Sequence, residues 1–216
     1  MSKSFAVIGL GSFGRSVADE LIRLEADLLC IDTDGDAITK ISKKASHAVI
    51  CDSTDEESLR DLGVNNIDHV VVCIGDNVQA SILTTLILKD IGVKWVTVKV
   101  KNEYHATVVE KIGADEIIYP EKQMGRRFAR RIISDKILDI MELSDDFSYV
   151  EIAAPKSFFD KTIIDIDIRK KFGLNVVMIR RKEDIITAHS HITILEGDVL
   201  LIVGSNKEIS RFESRL

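Results

Sequence analysis

The segment Phe5–Gly14, FAVIGLGSFG, constrains this chain more than any other. An apolar run ends in three glycines at GxGxxG spacing, Gly9, Gly11 and Gly14, and Phe13, Val17, Leu21 and Leu24 follow at helical intervals. That order of strand, tight turn and helix opens a nucleotide-binding βαβ unit. Gly9 permits the turn, Gly11 lets a diphosphate approach the backbone, and Gly14 lets the helix pack closely on the sheet. The helix N-terminus, with Ser12 and Phe13 in its first turn, adds free N–H donors and a partial positive charge.

The same grammar repeats along the chain. Short apolar runs fall at 5–9, 27–32, 47–51, 69–75, 95–100 and 116–120, with helical spacing between them. Strands covered by helices on both faces read this way, so the prediction is an α/β fold, a Rossmann-like doubly wound parallel sheet. From Glu121 to about Leu143, Met124, Phe128, Ile132, Ile133, Ile137, Ile140 and Met141 recur at three- and four-residue steps. One amphipathic helix is expected there, with an apolar face long enough to pair subunits into a homodimer or larger assembly. Beyond it come alternating strands, a short helix at IRKKFG and a terminal helix, a small α+β unit. The expected domains are 1–143 and 144–216.

Composition removes several classes. A net charge of −6 lacks the positive field that non-specific nucleic-acid binding needs. Cys30, Cys51 and Cys73 each sit in an apolar run, as small hydrophobes of a reducing compartment do. No apolar stretch approaches the ~18 residues of a membrane span, and the first residues lack signal-peptide features. A cytoplasmic protein without direct membrane insertion is expected.

Ligand candidates cluster where strands end. Asp32, with Thr33 beside it, closes the second strand, where a carboxylate accepts both hydroxyls of an adenosine ribose and repels a 2′-phosphate. NAD-type or plain adenine nucleotides are therefore favoured over NADP, although Asp32 also suits a helix cap. Asp52, Ser53 and Thr54 follow the third strand, and Gly75, Asp76 and Asn77 the fourth. Asp52 and Thr54 alternatively cap the next helix.

Catalytic groups are harder to find. The five histidines show no arrangement suited to acid–base work beside a nicotinamide, which weighs against a small NAD-dependent dehydrogenase. His189 and His191 lack a third metal ligand. Arg126, Arg127, Arg130 and Arg131 read as a solvated or inter-subunit face, without the aromatic platform that nucleic-acid binding adds. A DNA-binding regulator would need a helix-turn-helix at one end, and both ends here carry strands.

Longer motifs narrow the choice: FAVIGLGSFG (5–14), SHAVICDSTDE (46–56), NVQASILTTLILKDIGV (77–93), VKVKNEYH (98–105), KIGADEIIYPEKQMG (111–125) and DIDIRKKFGLNVVMIRR (165–181). Together the chain resembles, over essentially its whole length, the cytosolic gating subunits of bacterial Ktr and Trk potassium uptake systems, built from RCK (TrkA-N and TrkA-C) domains. The resemblance implies dimers assembled into an octameric ring, peripheral to the membrane through a channel subunit like KtrB or TrkH. It implies ATP and ADP competing for the cleft, with NAD or NADH as further candidates. Gly9, Gly11 and Gly14 would hold the phosphates, Asp32 the ribose, and Asp52, Ser53 and Thr54 the adenine side. Lys99 and Glu121 would lie at the phosphate end, Glu121 helping to hold Mg²⁺ or another cation there. Cyclic di-AMP would bind the C-terminal domain through Ile168, Arg169, Asn175 and Val176. Two departures stand out. Relatives commonly read GLGRFGGS where this chain has Ser12, with Arg15 three residues on, and Ser-Pro where it has Thr187-Ala188.

Overall fold

A computed structural model describes residues 3–134 and 136–215. The chain divides into two compact units, Met1–Glu121 and Lys122–Leu216.

The first unit alternates strands and helices: β1 (Ser4–Ile8), α1 (Ser12–Arg23), β2 (Asp27–Asp32), α2 (Gly35–Ile41), β3 (His47–Ile50), α3 (Glu56–Asp61), β4 (His69–Val72), α4 (Val78–Asp90), β5 (Val96–Lys99), α5 (Glu103–Ile112) and β6 (Glu116–Ile118). The strands form one parallel sheet in the order β3-β2-β1-β4-β5-β6. The apolar runs are explained by burial of both faces. Ala6, Ile8, Val70, Val72, Val96 and Val98 pack into one core with Leu88 and Val109. Their neighbours Val7, Cys30, Val71 and Cys73 pack into another with Ala18, Ile38 and Ile41. The predicted doubly wound sheet is present.

The second unit takes in most of α6 (Pro120–Ile133), then β7 (Ile137–Glu142), β8 (Phe147–Ala153), α7 (Ile163–Ile166), α8 (Ile168–Phe172), β9 (Asn175–Arg181), β10 (Asp184–Thr187), β11 (Val199–Ser205) and α9 (Asn206–Glu213). Its sheet is antiparallel, ordered β10-β9-β11-β8-β7. Phe212 of α9 is stacked on Phe158 at 6.0 Å and meets Phe172 edge-on at 5.0 Å, closing the core.

One expected element is corrected. The helix foreseen from Glu121 to about Leu143 stops at Ile133, and Ile137–Glu142 is a strand paired with β8. The Ser134 hydroxyl accepts from the N–H groups of Lys136 and Ile137, each at 3.2 Å, and turns the chain out of the helix. The compact units part at Glu121, and β7 belongs to the sheet of the second. The arginines of α6 find local partners: Arg127 pairs with Asp139 and Arg130 with Glu142, both on β7. Among the described residues, no helix is long and apolar enough to cross a membrane.

Candidate functional site

The order of the parallel sheet reverses between β1 and β4, which is where ligands of open α/β sheets bind at the carboxyl edge. A cleft of about 400 Å³ lies there, lined by the ends of β1 to β4 and the loops after them. The three glycines shape it for different reasons. Gly9 has φ +93°, and a Cβ there would also press to 3.0 Å from the Cys73 carbonyl carbon. A Cβ on Gly14 would lie 1.9 Å from the Gly9 carbonyl oxygen, so this glycine brings α1 against the turn. A Cβ on Gly11 would meet nothing within 4 Å. The room that Gly11 leaves is therefore not needed by the chain's own packing, and it opens into the cleft. Gly11 caps α1 without a side chain, so no side-chain acceptor occupies the N-terminal N–H groups around Ser12 and Phe13.

The acids sort themselves by their hydrogen bonds. Asp32 accepts from the N–H of Leu10 through Oδ2, and from the N–H of Asp34 through Oδ1 at 2.8 Å. It thereby ties the glycine turn to β2. The cap of α2 is Asp34, which accepts from Asp36 N–H at 2.9 Å, so Asp32 is left facing the cleft with Thr33. Asp52 accepts from the N–H of Thr54 at 2.9 Å and from its hydroxyl at 2.7 Å, and these bonds hold its carboxyl below the usual range. Asp55 caps α3, leaving Asp52 and Thr54 to shape the cleft wall. Ser53 also lines the cleft, but its hydroxyl turns away to Thr84 at 2.8 Å. Gly75 and Asn77 close the far wall, and Asn77 additionally caps α4 by accepting from Ala80 N–H at 3.0 Å.

Lys99 ends β5 beside this wall. Its ammonium lies 5.8 Å from the centre of the Phe13 ring, and a Cβ on Gly75 would be 3.4 Å from it. It pairs with Glu121 Oε1 at 2.6 Å, and that bond holds the Glu121 carboxyl below its ordinary range. Cys51 and Cys73 line the cleft as well, which their reading as plain core residues missed. Their place at the ends of β3 and β4 was the available signal. Burial pushes both thiols up, Cys73 to about 12, so neither is a ready thiolate at neutral pH. No histidine lines the cleft among the described residues; His47 and His69 open β3 and β4, at the opposite edge of the sheet.

The second-unit candidates divide. Ile168 is 3% exposed and belongs to the core, with Val176 packed against it, whereas Arg169 and Asn175 are exposed. Asp167, at φ +51°, reverses the chain between α7 and α8 and so separates buried Ile168 from α7. Among the described residues no group of three or more His, Cys, Asp or Glu side chains is placed to hold a metal ion.

The TrkA-N domain model matches residues 5–120 and the TrkA-C domain model residues 147–216. Ktr system potassium uptake protein C of Bacillus subtilis (strain 168) is 49% identical over 217 residues, covering 100% of this chain and 98% of that protein. Ktr system potassium uptake protein A of the same organism is 42% identical, covering 99% and 96%. Among solved structures, the GsuK channel bound to NAD superposes with a TM-score of 0.69 at 16% identity, over 99% of this chain and 39% of that one. At that identity the likeness speaks for the fold.

Proposed function

The chain belongs to the family that joins a TrkA-N to a TrkA-C domain, that of the Ktr system potassium uptake proteins, and on that footing we propose that it is the nucleotide-sensing subunit of a potassium channel. The observation that carries the nucleotide part is Gly11, where the open space belongs to no packing partner in the chain and opens into the cleft that Asp32 also lines. ATP or ADP is the ligand proposed there, with NAD or NADH as the alternative. The diphosphate lies on the α1 N-terminus, the ribose on Asp32, and the adenine between the Asp52–Thr54 and Gly75–Asn77 walls. Glu121 offers an exposed carboxylate to Mg²⁺ or another cation at the phosphates, with phosphate oxygens as the other ligands.

The role is binding rather than turnover. Among the described residues the cleft presents aspartates and protonated thiols, and no histidine to move a proton at neutral pH. A ligand then acts by its differential affinity for two arrangements of the assembly. Exposed Met124, Phe128, Ile132 and Ile133 on α6 support self-association into dimers and a ring. The membrane partner is a channel subunit, which would place this chain at the cytoplasmic face of the membrane.

Potassium uptake into vesicles carrying the channel subunit tests the proposal. Uptake is expected to depend on added chain and to differ by roughly fivefold or more between saturating ATP and ADP, an ordinary allosteric coupling. Uptake indifferent to the chain would refute it. Cyclic di-AMP is proposed for the second unit, where exposed Arg169 offers a bidentate fork to phosphate. Arg169→Ala is expected to weaken labelled cyclic di-AMP binding about tenfold or more, the loss of a charge-assisted pair. Unchanged binding would move the ligand elsewhere.

A further inference from the structure

The ammonium of Lys99 sits at the border of the cleft, beside Gly75 and over Phe13, with its side chain only 14% exposed. A cation so covered requires a counter-charge. Glu121 supplies it at 2.6 Å, from the first turn of α6, while remaining 70% exposed itself. The pair is therefore unequal: a fixed, mostly buried cation and an anion with ready access to water. A nucleotide phosphate entering over the glycine turn would meet the same ammonium with more charge and more acceptor oxygens than a carboxylate. The side chain of Ser12 brings no positive charge to that turn.

We propose that Glu121 is an internal competitor of the nucleotide: it occupies Lys99 in the empty protein and leaves when a terminal phosphate takes the ammonium. Resting on the nucleotide reading above, this assigns Lys99 as the cation that recognises the terminal phosphate. It assigns Glu121 as the group whose change of partner reports occupancy to the first turn of α6. The exchange differs from a simple cation-holding role for Glu121 in sign, because a competitor lowers phosphate affinity when no metal is present.

The test is a titration of the full chain with ADP and with ATP in excess EDTA, for wild type, Glu121→Gln, Lys99→Met and the double variant. Circular dichroism melts establish that each is folded. Glu121→Gln is expected to bind both nucleotides about twofold to fivefold more tightly, the range that a partly exposed ion pair supplies. Lys99→Met is expected to weaken both about tenfold, as loss of a charge-assisted hydrogen bond does. In the Lys99→Met background, Glu121→Gln is expected to add nothing. Weaker or unchanged binding by Glu121→Gln in EDTA, or a gain that survives Lys99→Met, overturns the inference. Should Lys99→Met fail to fold, the sign of the Glu121→Gln effect alone still decides. Wild-type protein that binds neither nucleotide overturns the nucleotide reading and this inference with it, and that titration reports before any variant is made.

Discussion

Arg181→Met is expected to destabilise the second unit by about 3 kcal/mol, the lower end for removing one partner of a buried ion pair. Asp198 on the other side is fully buried, while Arg181 keeps about a third of its exposure, which sets the estimate at that lower end. The guanidinium donates to both carboxylate oxygens at 2.8 Å, and Leu195 N–H donates to Oδ2 at 2.9 Å. Burial alone would raise the Asp198 pKa, but these bonds outweigh it and hold the carboxyl below its usual value. Without Arg181 a buried carboxylate is left with one neutral donor. Hydrogen exchange is expected to show the loss in β9 and β11, with the first unit unaffected. Asp198→Asn in the same background is expected to restore part of it, since the uncompensated charge is gone.

The pair also fixes a pH dependence. A carboxyl with a depressed native pKa adds stability that is complete above about pH 4, where the unfolded chain's aspartates are ionised, and lost as pH falls through the native value. Acidification should therefore cost the wild-type unit more than it costs Arg181→Met. Equal acid sensitivity in urea melts would contradict the assignment.

Gly14→Ala is expected to have a comparable effect on the first unit. The new Cβ would stand 1.9 Å from the Gly9 carbonyl oxygen, a backbone atom that cannot swing aside as a side chain would. Overpacking of that kind costs about 1–3 kcal/mol, and a clash with backbone belongs at the top of the range. For a unit of this size, at about 4 °C per kcal/mol, the melting temperature should drop by about 12 °C. Nucleotide binding should fall with it, because α1 can relieve the clash only by moving its first turn away from β1. Gly14→Ala melting like wild type would mean that α1 does not pack as described.

What could be read in advance followed from local chemistry. The six parallel strands and the glycine turn were legible because burial on both faces writes itself as unbroken apolar runs, and φ +93° at Gly9 restricts the residue to be found there. The end of α6 was not legible. Pairing of β7 with β8 is irregular between Ile137 and Asp139, so the two buried isoleucines, Ile137 and Ile140, fall three residues apart. That interval is helical, and through Ile133 it continues the rhythm of Met124, Phe128 and Ile132. The turn at Ser134 and pairing with β8 set the segment apart, and the pairing is distant information for a local pattern. The acids of the cleft were ambiguous for a related reason. Asp32 and Asp34, and likewise Asp52 and Asp55, are equally good caps as residue types, and backbone geometry alone decides that Asp34 and Asp55 take that role. Ser53 shows the limit of reading by position, since its place at the cleft says nothing about a hydroxyl committed to Thr84.

Nucleotide binding at the glycine turn is tested by a calorimetric titration of the chain with ATP, ADP, NAD⁺ and NADH, repeated on Gly11→Val and Asp32→Ala. A Cβ on Gly11 would meet nothing within 4 Å, and the backbone there is extended at φ −60°, so Gly11→Val is expected to melt like wild type. ATP or ADP is predicted to bind wild type more tightly than about 1 mM, and Gly11→Val is predicted to bind neither while keeping its fold. No adenine nucleotide bound within that range, or wild-type affinity in Gly11→Val or Asp32→Ala, would mean that the cleft is not a nucleotide site.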